Sequence, residues 1–415
     1  MEIRERIDRA NEEVIRRILD SQPVWVDVQK AIDVAPGMTP TLIMHSGPPI
    51  EWDRMCLVQR ESVIGAVLFE GLAATPEEAR ERIEAGEVQL EPCHAHSSTG
   101  AMTGVTSASM AMLVVENPPF GTKGFCKVVE RNLQFGVSTP EALDNLRWLA
   151  EDLGPALGEA VRRLGGLELK PIIGRALHMG DECHNRNVAA TMLVLQQIAP
   201  DLVEAVEPSR LRRVMEYFQE IDQAFLGLAM AAGKSIGDAA QGVADSSVVT
   251  AMARNGVEFG IRVSGLGDGW FTGEAQEIEG AFLPGLSSAD ATRDIGDSTI
   301  TETIGLGGMA MANALTASAI AGGRAEDAIR RVRENMEITA GRSRSFTLPV
   351  LDFQGTPVGI DVRKVVETGI LPVMLTGIAS NKPGGGRIGG GVARPPMAPF
   401  VQAVKALAER VGASA

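Results

Sequence analysis

The segment Pro92–Gly104, PCHAHSSTGAMTG, places two of the chain's five histidines, His94 and His96, among small and hydroxyl residues. On an extended backbone residues two apart point the same way, so the imidazoles are expected side by side. Such a pair suits a metal site, or an acid/base beside a group that polarises a carbonyl. The plainer reading is a loop tied down by hydrogen bonds, because His-x-His alone is a weak metal signal. Ser107, just beyond, is a candidate substrate contact. A second cluster, HMGDECHNRN over His178–Asn187, crowds Asp181, Glu182, His184, Asn185 and Arg186 ahead of an apolar helical pattern. Asp181 fits a helix cap. His184 and Glu182 fit an acid/base and its orienting carboxylate. If this turn met His94 and His96 in space, the set would also make metal ligands.

Three further segments carry polar groups between glycines. TAMARNGVEFGIRVSGLGDGWFT, Thr250–Thr272, offers Arg254 before an Asn255-Gly256 turn and Arg262 on the polar face of the strand that follows. Gly265, Gly267 and Gly269 would let backbone N–H groups approach an anion, or they make a tight turn. Their spacing is not the dinucleotide fingerprint. DIGDSTITETIGLGG, Asp294–Gly308, groups Asp297, Ser298, Thr301, Glu302 and Thr303, able to bind a substrate amide and to start a helix. KPGGGRIGGGVARPP, Lys382–Pro396, has six glycines and is expected outside regular structure. It reads equally as a flexible surface loop or as a lid carrying Arg387 and Arg394 for anions. Gly227–Ser235 resembles a P-loop, but it has five residues between its glycines and follows a helical pattern. No GxSxG elbow occurs, nor the Ser-Thr-Arg-Thr phosphate loop of aspartate and ornithine carbamoyltransferases.

The elements that must position these groups follow from periodicity. Ile3, Ile7, Val14 and Ile18 predict an amphipathic helix over the first 19 residues. Val24–Val28, Thr41–Met44, Val63–Phe69, Val88–Leu90 and Met112–Val115 read as strands. Thr75, Pro76 and Glu78 make a capping box that opens a helix ending at Gly86. From Thr139 to about Gly242 the pattern is helical, with Ser209 capping a long helix that includes Leu211, Phe218 and Phe225. Mixed structure then returns: an alternating strand at Val257–Val263, a helix over 325–340, strands at Phe346–Leu351 and Ile370–Leu375, and a final helix at Met397–Val411. The expected fold is multi-domain α/β (α+β), two α/β parts flanking a central helical domain, with boundaries at 1–138, 139–245 and 246–415.

The chain's 415 residues imply two or three domains, and 45% hydrophobic with 22% charged residues is a globular balance. A net charge of −14 argues against nucleic acid as partner, yet local arginines can still hold a small anion. The charged N-terminus lacks a signal peptide's apolar core, and the uncharged run Ile304–Gly323 is too rich in Gly, Ala, Ser and Thr for a membrane span. A buried small-residue segment is expected there. Cys56, Cys93, Cys126 and Cys183 form no CxxC pair and read as free thiols of a cytoplasmic protein.

Several stretches together resemble the YlbE-like family: LFEG, PCHAH with GVTSASMAMLVVEN, MGDECHNRN, VTAMARNGVEFGIRVSGLGDGWFT, GDSTITETIGLGG, and LDFQG followed by GIDVRKVVETGILPVMLTGIA. They cover about residues 65–400. The resemblance implies α/β parts around a helical part, and a subunit of an oxamate carbamoyltransferase, in which oxalurate and phosphate give oxamate and carbamoyl phosphate. It further implies an FdrA-like, acyl-CoA-synthetase-type partner subunit and a gene encoded beside that of a carbamate kinase. A homo-oligomer is expected and no cofactor is required. The family supplies no catalytic assignment, so the site roles rest on the residues themselves. Two anions must be held together, for which guanidinium forks are suited. Arg254, Arg262 and Arg394 are the anion candidates, His94 or His184 the acid, and Glu182 its orienting partner. Asn255, Gly265, Gly267, Asp297 and Glu302 are further candidate contacts. Two rivals stand beside this reading: a metal-dependent amidohydrolase with His94, His96, Asp181 and His184 as ligands, and a non-catalytic scaffold subunit.

Overall fold

A computed structural model describes residues 3–315 and 323–412. Its first sheet has the order Ser98–Thr99, Thr122–Lys127, Ala111–Asn117, Val24–Lys30, Leu167–Glu168. The three long strands pair antiparallel. A parallel pair, Leu42–His45 with Gln89–Pro92, lies beside it. Helices Pro140–Trp148, Gly154–Leu164, Leu169–His178, Val188–Ala205, Pro208–Glu220 and Phe225–Ala240 fill the middle of the chain. A C-terminal α/β part holds an antiparallel four-stranded sheet, ordered Phe271–Glu274, Glu258–Val263, Val249–Asn255, Ile295–Gly296. It also holds an antiparallel three-stranded sheet, ordered Glu279–Phe282, Arg387–Ala393, Met374–Ala379. The fold is thus an α/β part, a mostly helical stretch and a second α/β part.

The main apolar core runs from Val14 on the first helix to Val358, and the C-terminal part adds cores of its own, one around Val249, Phe259, Ile261 and Phe400 and one around Val332, Leu348 and Leu375. Phe225–Ala240 is its axis, buried on nearly every side. Small residues allow this: a Cβ on Gly124 would overlap the Ala231 carbonyl, so strand and helix backbones touch. Leu226 and Phe225, removed from water there, each stabilise by roughly 1.5–3 kcal/mol. The P-loop-like Gly227–Ser235 lies wholly inside this helix, where no phosphate-cradling loop exists.

The structure corrects four local expectations. Val63–Phe69 belongs to the helix Leu57–Phe69, not to a strand. A short apolar run buried on all sides carries no period to separate the two. The long helix expected from Ser209 is two, ending at Glu220 and restarting at Phe225. Thr191 of the neighbouring helix satisfies the break, donating to the Asp222 carbonyl and accepting from the Phe225 N–H. Lys382–Pro396 is not all loop, because Arg387–Ala393 is the middle strand of its sheet. Its glycines serve close approach: a Cβ on Gly389 or Gly391 would strike the carbonyls of Ala281 or Glu279 on the paired strand. Finally, Cys93–His96 is a 3₁₀ turn, not extended, so His94 and His96 diverge.

The small-residue run from Ile304 is buried through Ala312 in its described part, and 316–322 lie outside the described residues. Among the described residues no helix is long and apolar enough to cross a membrane.

Candidate functional site

The segment Asp294–Glu302 meets Arg254, His94 and His184 in turn, so three distant motifs are tied to one stretch of chain. At its start Arg254 is wholly buried, and its five N–H groups all find acceptors. Asp294 takes two of them at 2.9 Å each, and the Gly296 carbonyl, Thr299 and Thr376 take the rest. Such a guanidinium ties sheets together and has nothing left for a substrate. The role expected of Arg254 as an anion clamp is corrected accordingly.

Asp297 follows. Its carboxylate accepts the N–H groups of Gly47 at 2.7 Å and Gly100 at 3.0 Å. Burial pushes its carboxyl up to about 7, against those N–H groups and the Arg254 and Lys234 charges. His94 Nε2 is 3.8 Å away. Burial, then the charges of Lys234 and Arg262, hold His94 well below the usual imidazole range. His94 therefore favours its neutral form, so the contact is not an ion pair. His94 also meets the Trp270 ring edge-on at 5.3 Å, and the Arg262 guanidinium lies 4.7 Å over the same ring.

The far end of the segment reaches His184. Its Nδ1 lies 2.9 and 3.1 Å from the two carboxylate oxygens of Glu302, and Thr301 joins at 3.2 Å. Gly308 and Leu375 N–H groups, each at 3.1 Å, fix the carboxylate. Gly307 must be glycine here: its φ is +56°, and a Cβ would overlap Glu302 and sit 3.0 Å from His184 Nδ1. Burial alone would raise Glu302, but the His184 charge and these hydrogen bonds outweigh it, leaving its carboxyl lowered. A carboxylate on Nδ1 fixes the ring and leaves Nε2 for proton transfer. No described residue hydrogen-bonds to that Nε2. The carboxylate on His184 Nδ1 is thus that of Glu302, whereas Glu182 accepts the backbone N–H groups of His184 and Arg186. Burial pushes Glu182 up to about 8. Cys183, between them, holds a left-handed φ of 60°, a conformation that costs about 1–3 kcal/mol for such a residue.

Beside His184, Asn185 and Arg186 wall a cleft of about 510 Å³ whose opposite side is the glycine strand with Arg387. Arg387 reaches only Gln223 at 3.3 Å and the Gly389 carbonyl at 3.2 Å, with no carboxylate within ion-pair distance among the described residues. Arg186 forms an ion pair with the buried Asp181 at 3.5 Å, without a hydrogen bond from Nε. Two guanidiniums with spare donors thus line one opening.

The remaining candidates are placed elsewhere. Asp181 caps a helix, accepting the Ala190 N–H at 2.8 Å, and burial pushes it up to about 6. Asn255 closes its own turn on Val257 and Glu258. Ser107 donates to Glu70 at 2.6 Å. Gly265 packs on Ser246, and Gly267 sits in an exposed turn. Arg394 pairs with Glu334 at an exposed edge. His96 spends both ring nitrogens on the Pro36 carbonyl and Glu91, which removes it from any shared metal site. Among the described residues no group of three potential ligands could hold a metal ion. Sequence reasoning did not single out Lys234 or Trp270, nor did it weigh Arg186 as an anion ligand. The lysine of the P-loop-like stretch was the one available signal.

Buried ionisable groups thus lie beside two incompletely engaged arginines on an α/β frame, an arrangement suited to small anions. The family model for oxamate carbamoyltransferase subunit AllG matches residues 88–298. The Escherichia coli K12 protein described as oxamate carbamoyltransferase subunit AllG is 41% identical over 413 residues, 98% of this chain and 99% of the relative. An uncharacterized protein of the same organism, YahG, is 43% identical over 412 residues, 98% of this chain and 87% of its own length. A crystal structure of a conserved protein of unknown function from Enterococcus faecalis V583 superposes with a TM-score of 0.97 at 42% identity, covering 99% of this chain and 100% of that one. The chain belongs to the AllG family of oxamate carbamoyltransferase subunits.

Proposed function

We propose that the chain is a subunit of an oxamate carbamoyltransferase, moving the carbamoyl group of oxalurate to phosphate, and that the transfer takes place in the Arg186–Arg387 cleft. The observation that carries the site is the pair of incompletely engaged guanidiniums facing one opening beside the His184–Glu302 pair. Two anions repel, and each needs its own fork. In the reaction a phosphate oxygen bonds to the carbamoyl carbon and the bond from that carbon to the oxamate nitrogen breaks. The proton of monohydrogen phosphate ends on that nitrogen, so charge and atoms balance without a cofactor. His184 relays the proton through Nε2, while Glu302 steadies the imidazolium that forms in passing.

The partner belongs to the same reading: an FdrA-like subunit, with this chain present in more than one copy. The test is carbamoyl phosphate formation from oxalurate and phosphate, with and without that subunit. R186Q and R387Q should each raise KM for one of the two anions by about 10- to 100-fold, the loss expected of a charge-assisted fork. Absence of turnover in every mixture removes the assignment. Turnover untouched by both variants moves the site out of the cleft.

A further inference from the structure

Resting on the reading of the cleft as the place of transfer, we infer that Asn185 and Asp222 set its specificity. Their side-chain oxygens take the two N–H bonds of the transferred carbamoyl group, so the cleft accepts carbamoyl and rejects acyl groups that end in carbon.

Both residues line the cleft together with Arg186 and Arg387. Asn185 is held from two sides. Its Nδ2 donates to the Thr376 carbonyl at 3.3 Å, and its backbone carbonyl accepts Gln223 Nε2 at 2.6 Å. With Nδ2 engaged, the amide turns Oδ1 away from Thr376, and no described residue donates to that oxygen. Asp222 precedes Gln223 in the break between the helices Pro208–Glu220 and Phe225–Ala240. Its backbone carbonyl is taken by Thr191. The residue is exposed, and its carboxylate has neither a hydrogen-bond donor nor an ion-pair partner among the described residues. Burial lowers the Arg387 guanidinium and the Asp222 charge acts against that fall, so the carboxylate stands toward the arginine. Gln223 also accepts from Arg387 at 3.3 Å, which gathers Asn185, Asp222 and Arg387 at one end of the opening.

The open atoms of the cleft are thus of two kinds. The arginines only donate, whereas Asn185 Oδ1 and the Asp222 carboxylate only accept. A carboxylate in an anion cleft repels phosphate and carboxylate alike, and a ligand offsets that cost by bringing N–H groups to it. The carboxylate end of oxalurate has no such hydrogen, and monohydrogen phosphate gives up its single one in the reaction. The oxamate nitrogen takes up a proton and needs a donor beside it. The carbamoyl nitrogen keeps two hydrogens before and after transfer, one for each oxygen. An acetyl group has nearly the same size but presents a methyl, which leaves both oxygens unpaired.

Two stable analogues isolate that group: phosphonoacetamide ends in the carbamoyl –NH2, and acetonylphosphonate ends in a methyl. Each is titrated calorimetrically into the purified full chain, alone and with the FdrA-like subunit. Wild type should bind phosphonoacetamide about tenfold more tightly or better, the discrimination of a site built for an N–H donor. D222A and N185A should each cut that preference to about threefold or less by weakening phosphonoacetamide alone. R186Q or R387Q should weaken both analogues alike. A wild type without the preference, or a preference retained by D222A or by a folded N185A, overturns the specificity role and leaves the cleft standing. Binding of neither analogue in any mixture, or binding indifferent to both arginine variants, overturns the cleft itself.

Discussion

His184 Nδ1 lies 2.9 Å from Glu302 although 118 residues separate them in sequence, and both are buried. The pairing needs three things at once: the tight DECH turn, a glycine at 307, and the Leu375 N–H from a distant strand. That convergence holds one buried imidazole in a single orientation.

The first prediction follows directly. Glu302→Gln keeps the shape but turns an amide group toward donors that a carboxylate accepted. The ring is then free to take the wrong tautomer. Turnover should fall on the order of 10²- to 10⁴-fold, the scale of a lost acid/base orientation. Carbamoyl phosphate release by the assembled enzyme reads it, against Arg394→Gln as a neutral comparison at an exposed edge. Retention of more than about a tenth of the rate would leave His184 a structural histidine.

The buried arginine gives an opposite expectation. Because every N–H of Arg254 is engaged inside the protein, its loss should show as instability and not as weaker substrate binding. Arg254→Met strands Asp294 in the interior, and removing one member of a buried pair costs about 3–5 kcal/mol. Urea unfolding measures it. Unchanged stability together with a raised KM would return Arg254 to the substrate.

These two residues also mark how far the sequence could be read. His184, Glu302 and Arg254 are all visible in unusual polar motifs, and the α/β, helical, α/β succession follows from periodicity. Which carboxylate orients His184 is not visible, since Glu182 is adjacent in sequence while Glu302 arrives through the fold. Arg254 and Arg262 look alike on the two paired strands of one hairpin, yet one is saturated and the other lies over Trp270. Burial decides that difference, and single-sequence spacing does not carry burial. The glycine strand Arg387–Ala393 was hidden for a related reason. Its three central glycines dilute the β-branched signal of Ile388 and Val392, because Gly389 and Gly391 make room for backbone contact with a neighbouring strand.

A pH dependence comes from the carboxyls that burial raises: Asp181 to about 6, Asp297 to about 7 and Glu182 to about 8. Each keeps its proton in the folded chain after the unfolded chain has released it at about pH 4. The folded state then binds more protons, so these groups lower stability progressively as pH rises from about 4 to about 8. Glu302, lowered, acts the other way and loses its contribution only as pH falls through its folded value. Glu182→Gln removes the largest of the raised groups. The Tm advantage of wild type over this variant should therefore be greater at pH 5.5 than at pH 8. An advantage that grows toward alkaline pH would mean that Glu182 is ionised in the folded chain.

The glycine strand separates packing from function within two neighbouring residues. A Cβ on Gly390 would meet only the Arg387 guanidinium at 3.5 Å and the Thr376 carbonyl at 3.6 Å, both ordinary contacts. A Cβ on Gly391 would overlap the Glu279 carbonyl, which belongs to a paired backbone and cannot step aside. Gly391→Ala should thus cost about 1–3 kcal/mol or more in thermal unfolding through overpacking. Gly390→Ala should stay within about 1 kcal/mol of wild type, since a strand glycine replaced without a clash loses chain entropy to its advantage. Gly390 lines the cleft, so its added methyl stands beside Arg387 where an anion would sit. The expected signature of Gly390→Ala is an unchanged Tm with a raised KM. A variant that melts early would place the glycine's value in the sheet, and one that leaves both quantities unchanged would empty the cleft of its role.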